Sequence, residues 1–402
     1  MGTYYPSAFS MFLNKPSSEI DITDSTFIHE YIHFLQDLIL PYCIRQNMVF
    51  VSSFTHMVRD GHANKYLNRP FDRWTKDHEL TRKQQFYTWG MGDKTSNGHI
   101  FKIVKDSFTS EYGHNIYRYC LRFDDGIDYL FGARDFLEYI AHKIQNKFWT
   151  TCSPTLPYKT IDKLFDFFQL QSVPESVRLL IAEYCLLNDN PAHMLIKIFF
   201  EDNLILSNPK SFTDYSSCSD FLLNMGWISN GGFSESVMSK TDRRLNDFVN
   251  SLTAVYPQKQ FDSIKDWIIT TNNICKTTLA NKFLLSSLYN LSKEELLYFI
   301  KHMIDKIGIP LILFNDNTIT SALLPSHYDQ DQFVDFYVMQ QFVFWMEDNQ
   351  KICPIKDICK ANYSFYSPNC NRNPLNANTE CIFSQFLHSY GLDQCPIITS
   401  SN

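Results

Sequence analysis

One run in the chain has residue types and spacing that could do chemistry: His29-Glu30-Tyr31-Ile32-His33, an H-E-x-x-H pattern. Four residues is close to one helical turn, so both imidazoles would share one helix face and could reach a single metal ion. Glu30 follows the first histidine directly, placed to touch a water beside the ion without ligating it. Zinc lowers the pKa of such a water, and a carboxylate can take its proton as it attacks a carbonyl. With 12 His in 402 residues, random placement yields about 0.01 such patterns per chain. The bland alternative is a helix with two half-buried histidines satisfied by their neighbours. The apolar flanks Phe27, Ile28, Phe34 and Leu35 suit a buried metal helix instead.

The elements that must position this run follow from local patterns. Thr23-Asp24-Ser25 is a helix N-cap signal, and apolar residues then recur at helical spacing through Ile39. A helix from about Ser25 to Tyr42 is expected, then a strand at Met48–Phe54. Residues 58–90 read as polar loop and helix. Ile100–Phe108 and Ile116–Phe123 alternate, with a turn-rich stretch between them, which predicts a β-hairpin. A helix is expected from about Tyr129 to Lys147. Beyond Ile161 the pattern is almost wholly helical, with candidates at 174–187, 191–206, 213–225, 240–254, 259–290, 293–307 and 330–348. Asn and Pro rise after residue 350, where the chain reads as irregular.

The expected fold class is therefore α+β, predominantly α-helical, with a small antiparallel sheet early in the chain. Three regions are expected: a catalytic region at 1–206, a helical region at 207–350 packed on it, and a Cys-rich irregular segment at 351–402.

His29 to Gln36, HEYIHFLQ, resembles the active-site helix of the zincin metallopeptidases. The metzincin branch would need Gly and His three and six positions after His33, where this chain has Gln36 and Ile39. The gluzincin branch takes a Glu from a later helix, commonly in an E-x-x-A setting. Glu138 with Ala141, in Gly132–His142, is similar, and the small alanine would let that helix approach the first one closely. The resemblance implies Zn²⁺ held by His29, His33 and Glu138, a peptidase fold region, and a protein or peptide substrate. Glu183 is the main alternative as third ligand, with Asp37 and His56 behind it. Glu138 could instead be a surface carboxylate paired with Arg134.

In gluzincins a sheet edge beside the active-site helix receives the substrate backbone, and the hairpin at 100–123 is the expected source. Glu30 is the implied general base, passing the water's proton to the leaving amine. His142 is assigned a catalytic part, supporting Glu138 or stabilising an oxyanion. Tyr112, His114 and Tyr139 are further oxyanion candidates. Asp37 could orient His33, or be a solvated carboxylate. The Gly-x-Met-Glu-Asn signature of zincin aminopeptidases is absent.

Composition narrows the remainder. The chain has a net charge of −7, 15% aromatic residues and 13 Gly, which argues against disorder and against binding nucleic acid. No apolar run reaches the ~18–20 residues that span a bilayer. Eleven cysteines without an export signal point to reduced thiols in the cytoplasm. Five crowd the tail, and Cys353-x5-Cys359-x10-Cys370-x10-Cys381 could hold a structural zinc or stand as separate thiols. Basic and aromatic residues interleave at 59–83, more in the manner of a solvated connector or lid than a single-strand binder. Phosphate-loop, dinucleotide and G-x-S-x-G motifs are absent. A cytoplasmic peptidase also implies restraint, by narrow specificity, a lid or a regulatory protein partner.

Overall fold

Before the first helix the chain forms a hairpin, β1 (Gly2–Tyr5) and β2 (Ser10–Leu13), in a computed structural model that describes residues 2–110, 113, 115–151, 154–225, 227–228, 234–235, 237–255, 261–278, 283–347, 352–362, 370 and 381–399. β2 pairs in parallel with Leu311–Phe314, and β1 is one of the two edge strands of that four-stranded sheet. The architecture is mixed α+β and mostly helical, with small sheets.

Helix α1 (Ser25–Ile39) begins where its sequence says it should. The Asp24 carboxylate accepts the N–H groups of Thr26 and Phe27 at 2.7 and 3.4 Å, satisfying two of the helix's orphan donors. Every residue from Phe27 to Leu38 is buried. A helix buried on all sides belongs at the centre of a molecule, and α1, with its polar residues His29, Glu30, His33, Gln36 and Asp37 buried among its apolar ones, packs on α2, β1 and two later helices, Asp262–Thr278 and Leu284–Leu288. It ends earlier than expected. Leu40 is extended and Pro41 takes the first position of a new helix, α2 (Pro41–Asn64), as the fixed φ and missing N–H of proline favour.

Met48–Phe54 lies inside α2, not in a strand. The β-branched run is overridden by packing: Phe50 meets Phe344 at 5.0 Å, and Phe54 is ringed by Phe342, Phe386 and Tyr390. After α2 come β3 (Leu67–Arg69) and α3 (Lys76–Trp89). The basic and aromatic residues here are spent on one another. Arg73 lies over Tyr66 and pairs with Asp60 at 2.7 Å, while Arg82 lies 3.9 Å from the centre of the Trp74 ring.

The expected hairpin forms as β4 (Ile100–Thr109) and β5 (Asn115–Phe123), extended by β6 (Asp128–Phe131). The expected helix start at Tyr129 falls in β6 instead. Gly132 breaks the chain there, and α4 runs over Ala133–Asn146. Gly132 is needed for close approach, because a Cβ would come within 2.4 Å of Gly90 N and 2.5 Å of Thr88 O.

Farther on, α5 (Thr160–Phe167) and α6 (Glu175–Cys185) pack on α4. The 191–206 stretch is helical but includes a π-helical segment, Met194–Glu201. The expected 259–290 helix is two, Asp262–Thr278 and Leu284–Leu288. Helices at Lys293–Ile307 and Gln330–Glu347 match expectation closely. The tail has more order than its composition suggests. Lys356–Asn362 and Ile382–Ser389 are helical, and Ile397–Thr399 pairs in parallel with β3. Among the described residues no helix is long and apolar enough to cross a membrane.

Candidate metal centre

Helices α1 and α4 lie against each other, and their contact brings three side-chain atoms to one point. His29 Nε2 and His33 Nε2 are 3.1 Å apart, and Glu138 Oε2 lies 3.3 and 3.2 Å from them. Ligands about 2.05 Å from an ion with tetrahedral angles stand about 3.3 Å from each other, so the spacing is that of three corners of a tetrahedron. Among the described residues this is the set of three or more His, Cys, Asp or Glu whose ligand atoms all lie within 4.8 Å.

The proton inventory also fits a cation. Gln36 donates its amide N–H to Leu137 O at 3.0 Å, which leaves its Oε1 facing His33 Nδ1 at 2.7 Å. Nδ1 must therefore carry the hydrogen, and a neutral His33 presents a bare lone pair at Nε2. That lone pair points at a second imidazole and a carboxylate. Without a metal the cluster needs a proton: burial lowers the His33 pKa, but the Glu138 charge and hydrogen bond more than offset this and lift it to about 9. Glu138 responds in the opposite sense. Burial raises its pKa, but the His33 charge and the histidine hydrogen bonds hold it well below the carboxylate range. A divalent ion satisfies all three groups at once.

Glu138 uses its other oxygen on Arg134, 3.8 Å away, and Arg134 in turn pairs with Asp93 at 2.6 Å. The surface-pair alternative and the ligand reading thus coexist on different oxygens. Asp37 is neither a solvated carboxylate nor a partner of His33. It is buried and accepts the Tyr4 hydroxyl at 2.9 Å and the Ser7 N–H at 3.0 Å. Gln36 does the orienting that the sequence suggested for Asp37. Glu183 lies elsewhere, accepting the Leu285 and Ser286 N–H groups at the start of their helix at 3.1 and 2.7 Å. His56 pairs with the Arg73 carbonyl at 2.8 Å.

A cleft of about 900 Å³ opens over the three atoms, with Glu30, Trp89, Arg134 and Tyr158 on its walls. Part of its wall is β1. The expected hairpin at 100–123 lines none of it; Gly2, Thr3 and Tyr4 do. The approach is close enough that a Cβ on Gly2 would lie 2.7 Å from Glu30 Oε1. Glu30 is buried, which raises its pKa against the lowering effect of His29 and His33, while the Tyr4 backbone N–H donates to it.

Tyr158 escaped the sequence reading. It lies in the irregular stretch before α5, where no periodicity marks it. Its ring centre is 6.3 Å from that of His29 and 4.9 Å from that of His142. Burial, and then the Glu138 charge, keeps its hydroxyl protonated far above neutral pH. His142 is buried beneath Tyr158 and, chiefly through burial, its pKa falls to about 4, so it is neutral at pH 7. Tyr139 donates its hydroxyl to Asp162 at 2.9 Å, away from the cleft. Tyr112 and His114 lie outside the described residues. Comparison of the chain with protein families, with curated proteins and with solved structures returned no match.

Proposed function

We propose that the chain is a zinc-dependent peptidase of the zincin type, gluzincin-like, that hydrolyses peptide bonds of a protein or peptide substrate. The observation that carries this reading is the convergence of His29 Nε2, His33 Nε2 and Glu138 Oε2 beside the buried Glu30 carboxylate, on the floor of an open cleft. When bound, zinc supplies Lewis acidity, polarising the scissile carbonyl and lowering the pKa of water.

The chain's own groups do the rest. Glu30, with its pKa raised by burial, is a stronger base than an exposed carboxylate and takes the water's proton, then delivers it to the leaving amine. Tyr158, protonated at working pH, is the donor best placed for the developing oxyanion. His142 backs the Tyr158 ring and remains uncharged. The edge strand β1 offers an extended wall along which a substrate backbone can lie. The ten described cysteines are all free thiols, which supports a reducing, cytoplasmic setting and hence control by a partner protein or narrow specificity.

The test is metal analysis and cleavage of an unfolded protein, such as reduced casein, by the intact chain and by Glu30→Gln. The expected result is one zinc at this centre in both, with cleavage reduced about 10²–10⁴-fold in the variant. Equal cleavage by both, or loss of no zinc when His29 and His33 are changed to Ala, would falsify the reading.

A further inference from the structure

The cleft follows one face of α1, whose lining residues recur from Ser25 through His29 and His33 to Asp37. Over that stretch the helix rises about 18 Å, the length of about five residues of extended chain. The three converging atoms of His29, His33 and Glu138 lie midway along this floor. On one side α4 runs in the opposite direction: Gln36 meets Leu137 O at 3.0 Å near one end, and Gln145 donates to Ser25 O at 2.9 Å at the other. On the other side β1 runs in the same direction as α1. A Cβ on Gly2 would meet Thr26 and Glu30, while the Tyr4 hydroxyl reaches Asp37. The groove therefore continues past the candidate ligands both ways.

Its two ends differ in chemistry. Ser25, Thr26, Gln145 and Thr151 give one end hydroxyls and an amide. Pro6, Cys43, Trp89 and Leu137 make the other end apolar. Local structure explains the second set. Pro41 starts α2 directly after α1 and so brings Cys43 here, and Pro6 precedes Ser7, whose N–H is held by Asp37. Trp89 closes α3 and stacks on the buried Tyr42, with ring centres 6.5 Å apart. We propose that the cleft binds an internal, extended stretch of its substrate and seats one large apolar side chain, such as Leu, Met or Phe, against Trp89 and Leu137, with Trp89 determining that preference.

Polar groups at this end are already engaged. Gln36 is bound to His33 and to the Leu137 carbonyl, and Asp37 accepts from Tyr4 and Ser7. Arg134, the one Lys or Arg among the described residues lining the cleft, is paired with Asp93 and Glu138, which leaves no free cation to hold a C-terminal carboxylate. A charged side chain seated here would lose hydration without gaining a partner, whereas an apolar one removes its own surface and that of the indole from water. Tyr42 backs the Trp89 ring, so little rotamer freedom remains to be lost on binding. The inference rests on the peptidase reading for the reaction that follows binding, and on the cleft wall for the binding itself.

The test has a cleavage arm and a binding arm. Cleavage sites in reduced casein are mapped by mass spectrometry for the intact chain with zinc and for Trp89→Ala. Large apolar residues should be favoured over Ala about 10–100-fold at one fixed position beside the scissile bond, and the variant should cut with that preference reduced about tenfold. Cleavage without such a preference, or with one that Trp89→Ala leaves intact, overturns the proposal and leaves the peptidase reading standing. For binding, Glu30→Gln incubated with zinc is titrated with two Ser/Gly peptides capped at both ends, one with a central Leu and one with Ala in its place. The Leu peptide should bind about tenfold more tightly, and adding Trp89→Ala should remove the difference. If casein stays uncut and that difference is found, the subsite stands and the peptidase reading fails. Equal binding of the two peptides with casein uncut overturns both. The comparison of peptides needs no change at Trp89, so it decides the matter even where Trp89→Ala fails to fold.

Discussion

Gln36 touches both halves of the candidate metal centre, accepting from His33 and donating to the Leu137 carbonyl one residue before Glu138. Its replacement by Ala should leave the three ligands in place but free the His33 ring to rotate. Zinc affinity should then fall about 10–100-fold, read by competition with a chromophoric chelator. Tyr158→Phe tests a different function. It removes a hydroxyl and little volume, so zinc content and KM should stay constant while kcat falls about 10²–10³-fold. An unchanged kcat would assign Tyr158 to packing alone. At this scale the sequence exposed His29, Glu30, His33 and Glu138, because each belongs to a periodic helix with a short motif. Gln36 was in view only as a residue that departs from the metzincin pattern; the orienting part fell to Asp37, since carboxylates orient metal-bound imidazoles more often than amides. Tyr158 carried no pattern at all.

Among elements, α4 is held in place by a backbone contact with the end of α3. Gly132→Ala places a methyl within 2.4 Å of Gly90 N and 2.5 Å of Thr88 O, neither of which can yield without moving α4 and Glu138. A loss of about 2–3 kcal/mol is expected, with weaker zinc retention, from urea unfolding with and without chelator. Gly126→Ala is the contrast: nothing lies within 4 Å, but its φ is +86°, so only about 1 kcal/mol should be lost and zinc retention should not change. Helix α1, the β4–β5 hairpin and the helices at Lys293–Ile307 and Gln330–Glu347 were readable because caps and periodicity are local. Residues 48–54 were not, because aromatic side chains from the far end of the chain decide their conformation. The same holds for β1, whose place at the cleft depends on β2 pairing with residues 311–314.

For the whole molecule, the buried Asp135 makes stability depend on pH. Burial is the main reason its pKa rises from 3.8 to about 7, against the lowering effect of its hydrogen bonds. Between those values the folded chain holds a proton that the unfolded chain has released. This contribution is complete below the unfolded value and is lost as pH rises through about 7, a change on the order of a few kcal/mol. Asp135→Asn keeps an acceptor for the Gly132 N–H, which Asp135 binds at 3.0 Å, but cannot titrate. Its urea midpoint should therefore decline less between pH 4 and 7 than that of the parent chain; parallel profiles would mean Asp135 is not the source.

The parallel pairing of β2 with Leu311–Phe314 also sets an order of events in time. During synthesis the candidate ligands emerge well before the strand that anchors the cleft wall, which is translated some 300 positions after its partner: Ser10 pairs with Leu311. At about 5–20 residues per second, a nascent chain carries His29, Glu30, His33 and Glu138 for many seconds before the wall beside Glu30 can be secured. If the proposed peptidase aligns its substrate along that wall, cleavage becomes competent only after Leu311–Phe314 has been made, well after the two helices that carry the candidate ligands.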